Sequence, residues 1–169
     1  MSTTTEHNQA GAHKINPKLI VPFVNSVRSV FTTMVKIPTT VERPHLKTEG
    51  SASYDVSAIV GFSGMILGNV VVSFQRDAAV KLVNSFAGME IDPSTPDFAD
   101  AVCELANMVA GAAKKDLGHE ARISIPSVII GAGHHIARLT DVPCLVVPCK
   151  TPVGDFAVEV SIKEAADAA

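Results

Sequence analysis

Two carboxylates, an amide and a glycine recur at Asp100, Glu104, Asn107 and Gly111, inside a run that reads as the middle of a helix from about Pro96 to Leu117. An α-helix turns ~100° per residue, so these four positions fall within a wedge of roughly 60°. Val102, Ala106, Val109 and Ala113 fall on the opposite side. Every surface helix has a polar face, but this one is otherwise rich in Ala and its stripe ends in Gly. Asn and Gly both cost helix stability, so good helix formers would serve a plain surface better. A carboxylate and an amide one turn apart can bind a lysine and position a water. They are less suited to acid/base chemistry unaided, and no His or Ser shares the stripe to act as base or nucleophile.

Other candidate chemistry is weaker. Cys103, Cys144 and Cys149 are odd in number and lack CxxC spacing, which disfavours a disulfide framework or zinc site. They read as small core residues of a reducing compartment, with Cys144 and Cys149 on opposite faces of one strand. His134 and His135 follow Gly131 and Gly133 in a loop, where no third metal ligand is apparent. Ser124 and Ser127 flank Pro126 without a nearby base. Lys114 and Lys115 complement the dipole at the end of the stripe-bearing helix.

The elements that must position the stripe follow from local signals. Asn16 and Pro17 form a helix start, and the helix runs to about Val35 with Leu19, Phe23, Val27, Val30, Phe31 and Met34 as its apolar face. Two strands, about 52–62 and 66–74, are joined by a tight turn at Ser63, Gly64 and Met65. A short helix from Ala78 to Ala87 is closed by Gly88. The turn residues 92–96 deliver the long helix, and Gly118 ends it. Residues 122–130 are extended, and residues 142–148 and 156–162 form a second hairpin. Residues 163–169 are helix-prone but short. The run from Gly68 resembles the run from Gly154, each a turn, a period-two strand, a charged pair and an Ala-led helix start. This predicts an α+β fold, with two long helices on a largely antiparallel sheet built from two similar halves.

The chain has 169 residues, net charge −3, 47% hydrophobic and 18% charged residues, enough for one domain with a real core. Residues 1–15 are polar and aperiodic and read as a disordered tail, leaving 16–169 as the single domain. No basic run suggests nucleic acid, and no apolar run reaches the ~18 residues of a membrane span. With no apolar signal segment at the N-terminus, a cytoplasmic protein is expected.

The pattern Asp100, Glu104, Leu105, Asn107 and Gly111 resembles the signature of the CheC/CheX/FliY phosphatases. The likeness extends to Ile15, Asn16 and Pro17, to the glycine-turn hairpin at 52–74, and to the run 124–127, and so covers about residues 15–162. It implies a CheC-like fold and hydrolysis of the aspartyl phosphate of CheY-type response regulators in chemotaxis and related two-component signalling. Asn107 would place a water in line with the departing aspartate. Glu104 would pair with the regulator's lysine. Gly111 and Ala110 would let the partner approach closely, and Asp100 would either orient the stripe or repel wrong partners. No metal is expected in this chain, because Mg²⁺ comes with the regulator. A homodimer is implied, consistent with exposed sheet edges. Aligning the two helix starts sets Asn25 and Arg28 opposite Glu104 and Asn107, a pair unable to do the same work. One site per chain is therefore expected, the CheX rather than the CheC arrangement. The rival reading is a CheC-like adaptor that binds a regulator or a flagellar switch component without hydrolysis.

Overall fold

The computed structural model describes residues 16–48, 51, 53–118, 120–137 and 142–166. The proposed tail at 1–15 lies outside the described residues. Helix α1 (Pro17–Val30) is followed by strands β1 (Thr40–Val41) and β2 (His45–Leu46), and then by the hairpin β3 (Val56–Gly64) and β4 (Ile66–Phe74). Helices α2 (Arg76–Ala87) and α3 (Pro96–Leu117) come next. Strands β5 (Ala121–Ile123) and β6 (Ser127–Ile130) precede the hairpin β7 (Leu145–Thr151) and β8 (Gly154–Glu164). Every strand pairing is antiparallel, in the order β1-β7-β8-β4-β3-β5, with β2 also on β7 and β6 also on β3.

The internal repeat becomes a symmetry element in this sheet. Strands β4 and β8 lie side by side at its centre, and Val72 pairs directly with Val158. Those two valines are equivalent positions of the repeat, each four residues beyond its opening glycine, Gly68 or Gly154. An antiparallel pair has a local two-fold axis at each directly opposed pair of residues. The axis relating the two halves therefore passes between Val72 and Val158, and the hairpins β3–β4 and β7–β8 flank it.

One face of the sheet meets the helices. Strand residues alternate sides, so Val56, Ala58, Val60 and Phe62 on β3, Val70, Val72 and Phe74 on β4, and Phe156, Val158, Val160 and Ile162 on β8 join one core with α1, α2 and α3. Phe156 stacks on Phe31 at 4.3 Å between ring centroids and on Phe74 at 5.5 Å. Residues Phe31–Val35 continue α1 as a wider π-helical turn. That turn explains why Met34, expected on the apolar face, is exposed. Widening shifts the phase, so Phe31 and Val35 carry the buried side.

The second face is also covered, and its centre is polar. Ser57, Ser73, Glu159 and Ser161 are buried there. Lys47 Nζ donates to Glu159 Oε1 at 2.6 Å and to Ser53 Oγ at 3.0 Å, and Ser53 Oγ donates to the same carboxylate at 2.9 Å. Ser57 and Ser73 hydroxyls meet at 2.9 Å, and His134 Nε2 lies 2.8 Å from Ser57 Oγ. The His134 ring also contacts Gly131 O through Nδ1 at 2.7 Å. His134 is thus a strut from loop to sheet.

Three further expectations are corrected. Met65 alone separates β3 from β4, because Ser63 and Gly64 stay in the strand. Gly64 has φ +90°, and a Cβ there would lie 2.3 Å from Glu120 O. Lys163 and Glu164 extend β8 instead of starting a helix, since pairing with Leu67 and Ile66 outweighs local propensity. Cys144 lies before β7, so it does not share a strand with the buried Cys149.

Glu159→Ala is expected to lower unfolding free energy by about 3 kcal/mol, because it strands the Lys47 ammonium in a site that is only 11% exposed. Urea denaturation measures this. A loss below about 0.5 kcal/mol would show that the polar layer is not a structural element.

Candidate functional site

Helix α3 starts and stops where its sequence dictates. Asp92 opens a turn in which its carboxylate accepts from Ser94 N–H at 2.8 Å and from Ser94 Oγ at 2.7 Å. Those bonds, backbone first, hold the Asp92 carboxyl below its usual range. Thr95 N–H and hydroxyl both return to Asp92 O, and Pro96 takes the first helical position, where no N–H is missed. At the far end Lys114 and Lys115 sit in the last turn, and Gly118 N–H bonds to Lys114 O.

The buried side of α3 is Phe98, Val102, Leu105, Ala106, Val109, Ala110 and Ala113. This leaves the expected stripe outward. Asp100 and Glu104 are exposed, and Asn107 and Gly111 are half-buried. A Cβ on Gly111 would meet nothing within 4 Å, so no internal packing demands glycine there. Ala110 needs correcting. It is fully buried, because it lies about 100° from Gly111 and turns into the core. Its methyl group sets how deep the helix sits and is not presented at the surface.

Asp100, Cys103, Glu104 and Asn107 form one wall of an open cleft of about 430 Å³, and Ile123, Ser124, Ile125 and Pro126 form the other. Within the described residues, neither the Glu104 nor the Asn107 side chain is engaged in a hydrogen bond or ion pair. The second wall was not expected from the sequence, where residues 122–130 read as one extended segment. The chain bulges instead. Ile123 opposes Phe62 and Ser127 opposes Ile59, so residues 124–126 face only two residues of β3. Ser124 N–H bonds to Gly61 O at 2.9 Å, and Gly61 N–H returns to Ser124 Oγ at 2.9 Å. A Cβ on Gly61 would come within 3.3 Å of Ser124 Oγ, so the mid-strand glycine allows this clamp. The available signals were Pro126 and the glycine in the middle of a strand-like run.

No nucleophile emerges. Ser124 Oγ donates to Ile125 O at 2.9 Å while accepting from Gly61. Burial, and then Asp100, raise the Cys103 thiol above its usual range, and burial raises Cys149 to about 12. Both stay protonated and poorly nucleophilic near neutrality. Among the described residues no three His, Cys, Asp or Glu side chains are placed to hold a metal ion, and no helix is long and apolar enough to cross a membrane. On α1, Asn25 and Arg28 lie in an apolar groove of about 480 Å³ with Val21, Val24, Pro44 and Leu145, and no carboxylate joins them.

The family model for chemotaxis phosphatase CheX matches residues 56–150, more than half of the chain. The CheY-P phosphatase CheX of Thermotoga maritima is 24% identical over 121 residues, 69% of this chain and 78% of that protein. The crystal structure of chemotaxis protein CheX from Desulfovibrio desulfuricans is 34% identical, covers 88% of this chain and 99% of its own, and superposes with TM-score 0.78. A CheX–CheY–BeF3–Mg²⁺ complex from Borrelia burgdorferi shares the fold at TM-score 0.72 and 24% identity, over 86% of this chain and 98% of that one. The matched region spans the hairpin, the whole of α3 and the bulged wall of the cleft, and by that match the chain belongs to the CheX family of chemotaxis phosphatases.

Proposed function

We propose that this protein accelerates hydrolysis of the aspartyl phosphate of a CheY-type response regulator. The observation that carries the reading is the placement of Glu104 and Asn107, one turn apart on a rigid helix at the wall of an open cleft that holds no activated nucleophile. Such a site can bind and orient but cannot attack. An acyl phosphate needs little more, because it is already activated and requires chiefly a water held in line.

In this reading the Asn107 amide accepts from and donates to the attacking water. Glu104 makes a charge-assisted hydrogen bond with the regulator's active-site lysine and so fixes the docked pose. Gly111 leaves room for the partner's backbone beside the helix, and Asp100 faces the partner from the helix's first turns. The regulator brings its own Mg²⁺, and this chain contributes no metal. Both partners act in the cytoplasm. We infer a homodimer from family membership alone. The edge argument for it lapses, because both sheet edges are short, broken strands with a proline between their pieces, Pro44 and Pro126.

The test adds the purified protein to a regulator phosphorylated by a small-molecule donor. Phosphate release should accelerate, and Asn107→Ala should lose on the order of 100-fold of that rate with binding retained. Glu104→Lys should instead weaken binding by tenfold or more, since it opposes the regulator's lysine with a like charge. Binding without faster release would sink the phosphatase reading and leave the adaptor. Binding unchanged in Glu104→Lys would remove Glu104 from docking.

Gly111→Ala separates stability from function at one position. It should raise the unfolding free energy by about 1 kcal/mol, because the site is helical and open. The same methyl should weaken regulator binding, measured by titration. Unchanged affinity in the stabilised variant would show that no partner approaches at Gly111.

A further inference from the structure

Ile125 is 90% exposed, the most exposed of the large hydrophobic residues in the described chain. Single exposed apolar side chains are common and carry no message alone. This one is held in a defined place. It sits at the crest of the bulge between β5 and β6, on the wall of the cleft opposite Glu104 and Asn107. The reciprocal clamp between Ser124 and Gly61 fixes its base on one side, and Pro126 fixes the backbone on the other. The side chain is therefore offered to solvent by a stiff support rather than by a loose loop.

The other half of the molecule supplies an internal control. Strands β1 and β2 are broken in the same way. Val41 opposes Cys149 and His45 opposes Val146, so residues 42–44 face only two residues of β7. Glu42 N–H bonds to Pro148 O at 2.9 Å, matching the bond from Ser124 N–H to Gly61 O at 2.9 Å. The two bulges read Glu42, Arg43, Pro44 and Ser124, Ile125, Pro126, and each stands beside the outward stripe of a long helix. At the crest, the half without a carboxylate and amide pair carries exposed Arg43. The half that has the pair carries isoleucine. The bulge itself thus accepts a charged crest residue, and an exposed isoleucine is not required by the fold.

We infer that Ile125 is the apolar docking anchor of the Glu104/Asn107 site, a specificity-determining residue that inserts into an apolar depression on the response regulator beside its phosphorylated aspartate. The inference rests on the function proposed above and deepens it. Glu104 supplies one charged contact, and a lone charge pair at a wet rim steers and orients more than it binds. Stable docking needs an apolar side chain that loses its water on contact and sits close enough to shield the polar pair. Ile125 meets that requirement from the facing wall, and its clamp means little ordering cost remains on binding.

Kinetics of phosphate release from the phosphorylated regulator test this with Ile125→Ser, Ile125→Arg and Ile125→Val. Ile125→Ser should raise KM about tenfold and leave kcat within about twofold. Ile125→Arg, which copies the crest of the other half, should raise it further, and Ile125→Val should restore most of the loss. Thermal midpoints should match the parent protein, because the side chain is solvent-exposed in the free state. An unchanged KM in Ile125→Ser and Ile125→Arg overturns the inference, as does a fall in kcat at constant KM. Titration against the regulator activated by beryllofluoride and Mg²⁺ separates this inference from the proposed activity. If the parent protein binds but does not hydrolyse, a tenfold rise in Kd in Ile125→Ser still supports the anchor while the phosphatase reading fails. A parent protein that neither binds nor hydrolyses overturns both.

Discussion

The seating of α3 on the sheet is the constraint from which the site follows. Ala106, Ala110 and Ala113 are all fully buried, and side chains this small bring the helix axis close to its neighbours. Close packing leaves one rotation for the helix, with Val102, Leu105 and Val109 also directed inward. Once that rotation is set, the positions of Asp100, Glu104, Asn107 and Gly111 are no longer independent. The stripe faces outward because the alanines face in, and it stays in place because an interior of this density resists rolling. Helix α1 and strands β3 and β4 all pack against α3, so the stripe rides on the main core of the molecule. Under the proposed function Glu104 and Asn107 gain from such support, since a small displacement of an amide that holds a water is costly in rate.

The sequence made this helix legible for the same reason that it is rigid. Its start signal at Pro96, its stop at Gly118 and its regular burial pattern are local properties, and the structure has the helix at Pro96–Leu117 as expected. The hairpins were also readable, since turns and period-two runs are local, although their ends moved by a few residues. What escaped was decided by partners distant in the chain. Strands β1 and β2 are only two residues each and exist because β7 offers them an edge. The bulge at 124–126 depends on Gly61, more than sixty residues away. The role of His134 depends on Ser57 in the same way. Ala110 was misplaced for a different reason. Its neighbour Gly111 suggested closeness to a partner, whereas a step of about 100° around the helix turns the next residue into the core.

The duplicated architecture explains how one half can be specialised without cost to the other. The axis between Val72 and Val158 relates two hairpins that contribute equally to the central sheet, so selection for folding acts on both. The helix stripes and the bulge crests lie on the outside of that arrangement and contribute little to it. They are free to differ, and they differ together. One half carries Glu104 and Asn107 with Ile125, and the other carries Asn25 and Arg28 with Arg43. A paired difference at the stripe and the crest is hard to derive from stability, because the Glu104 and Ile125 side chains are both exposed in the fold. It follows directly if both members are read by one partner.

A site made of binding and orienting groups alone has a further physical consequence. On the function proposed above, it stays inert until another protein supplies the activated phosphate, the cation and the lysine, so a Glu and an Asn can stand open to water without unwanted hydrolysis of other substrates. Selectivity must then come from how well the partner seats rather than from control of a reactive group. Rigid presentation serves that purpose on both walls: the alanine-seated helix on one side, and the Ser124–Gly61 clamp on the other. On the function proposed above, a partner that fits one wall and misses the other would dissociate before its phosphate could react. The two walls together therefore act as a geometric filter on binding, in which the Ile125 wall decides how long a partner stays and the helix wall decides what happens while it does.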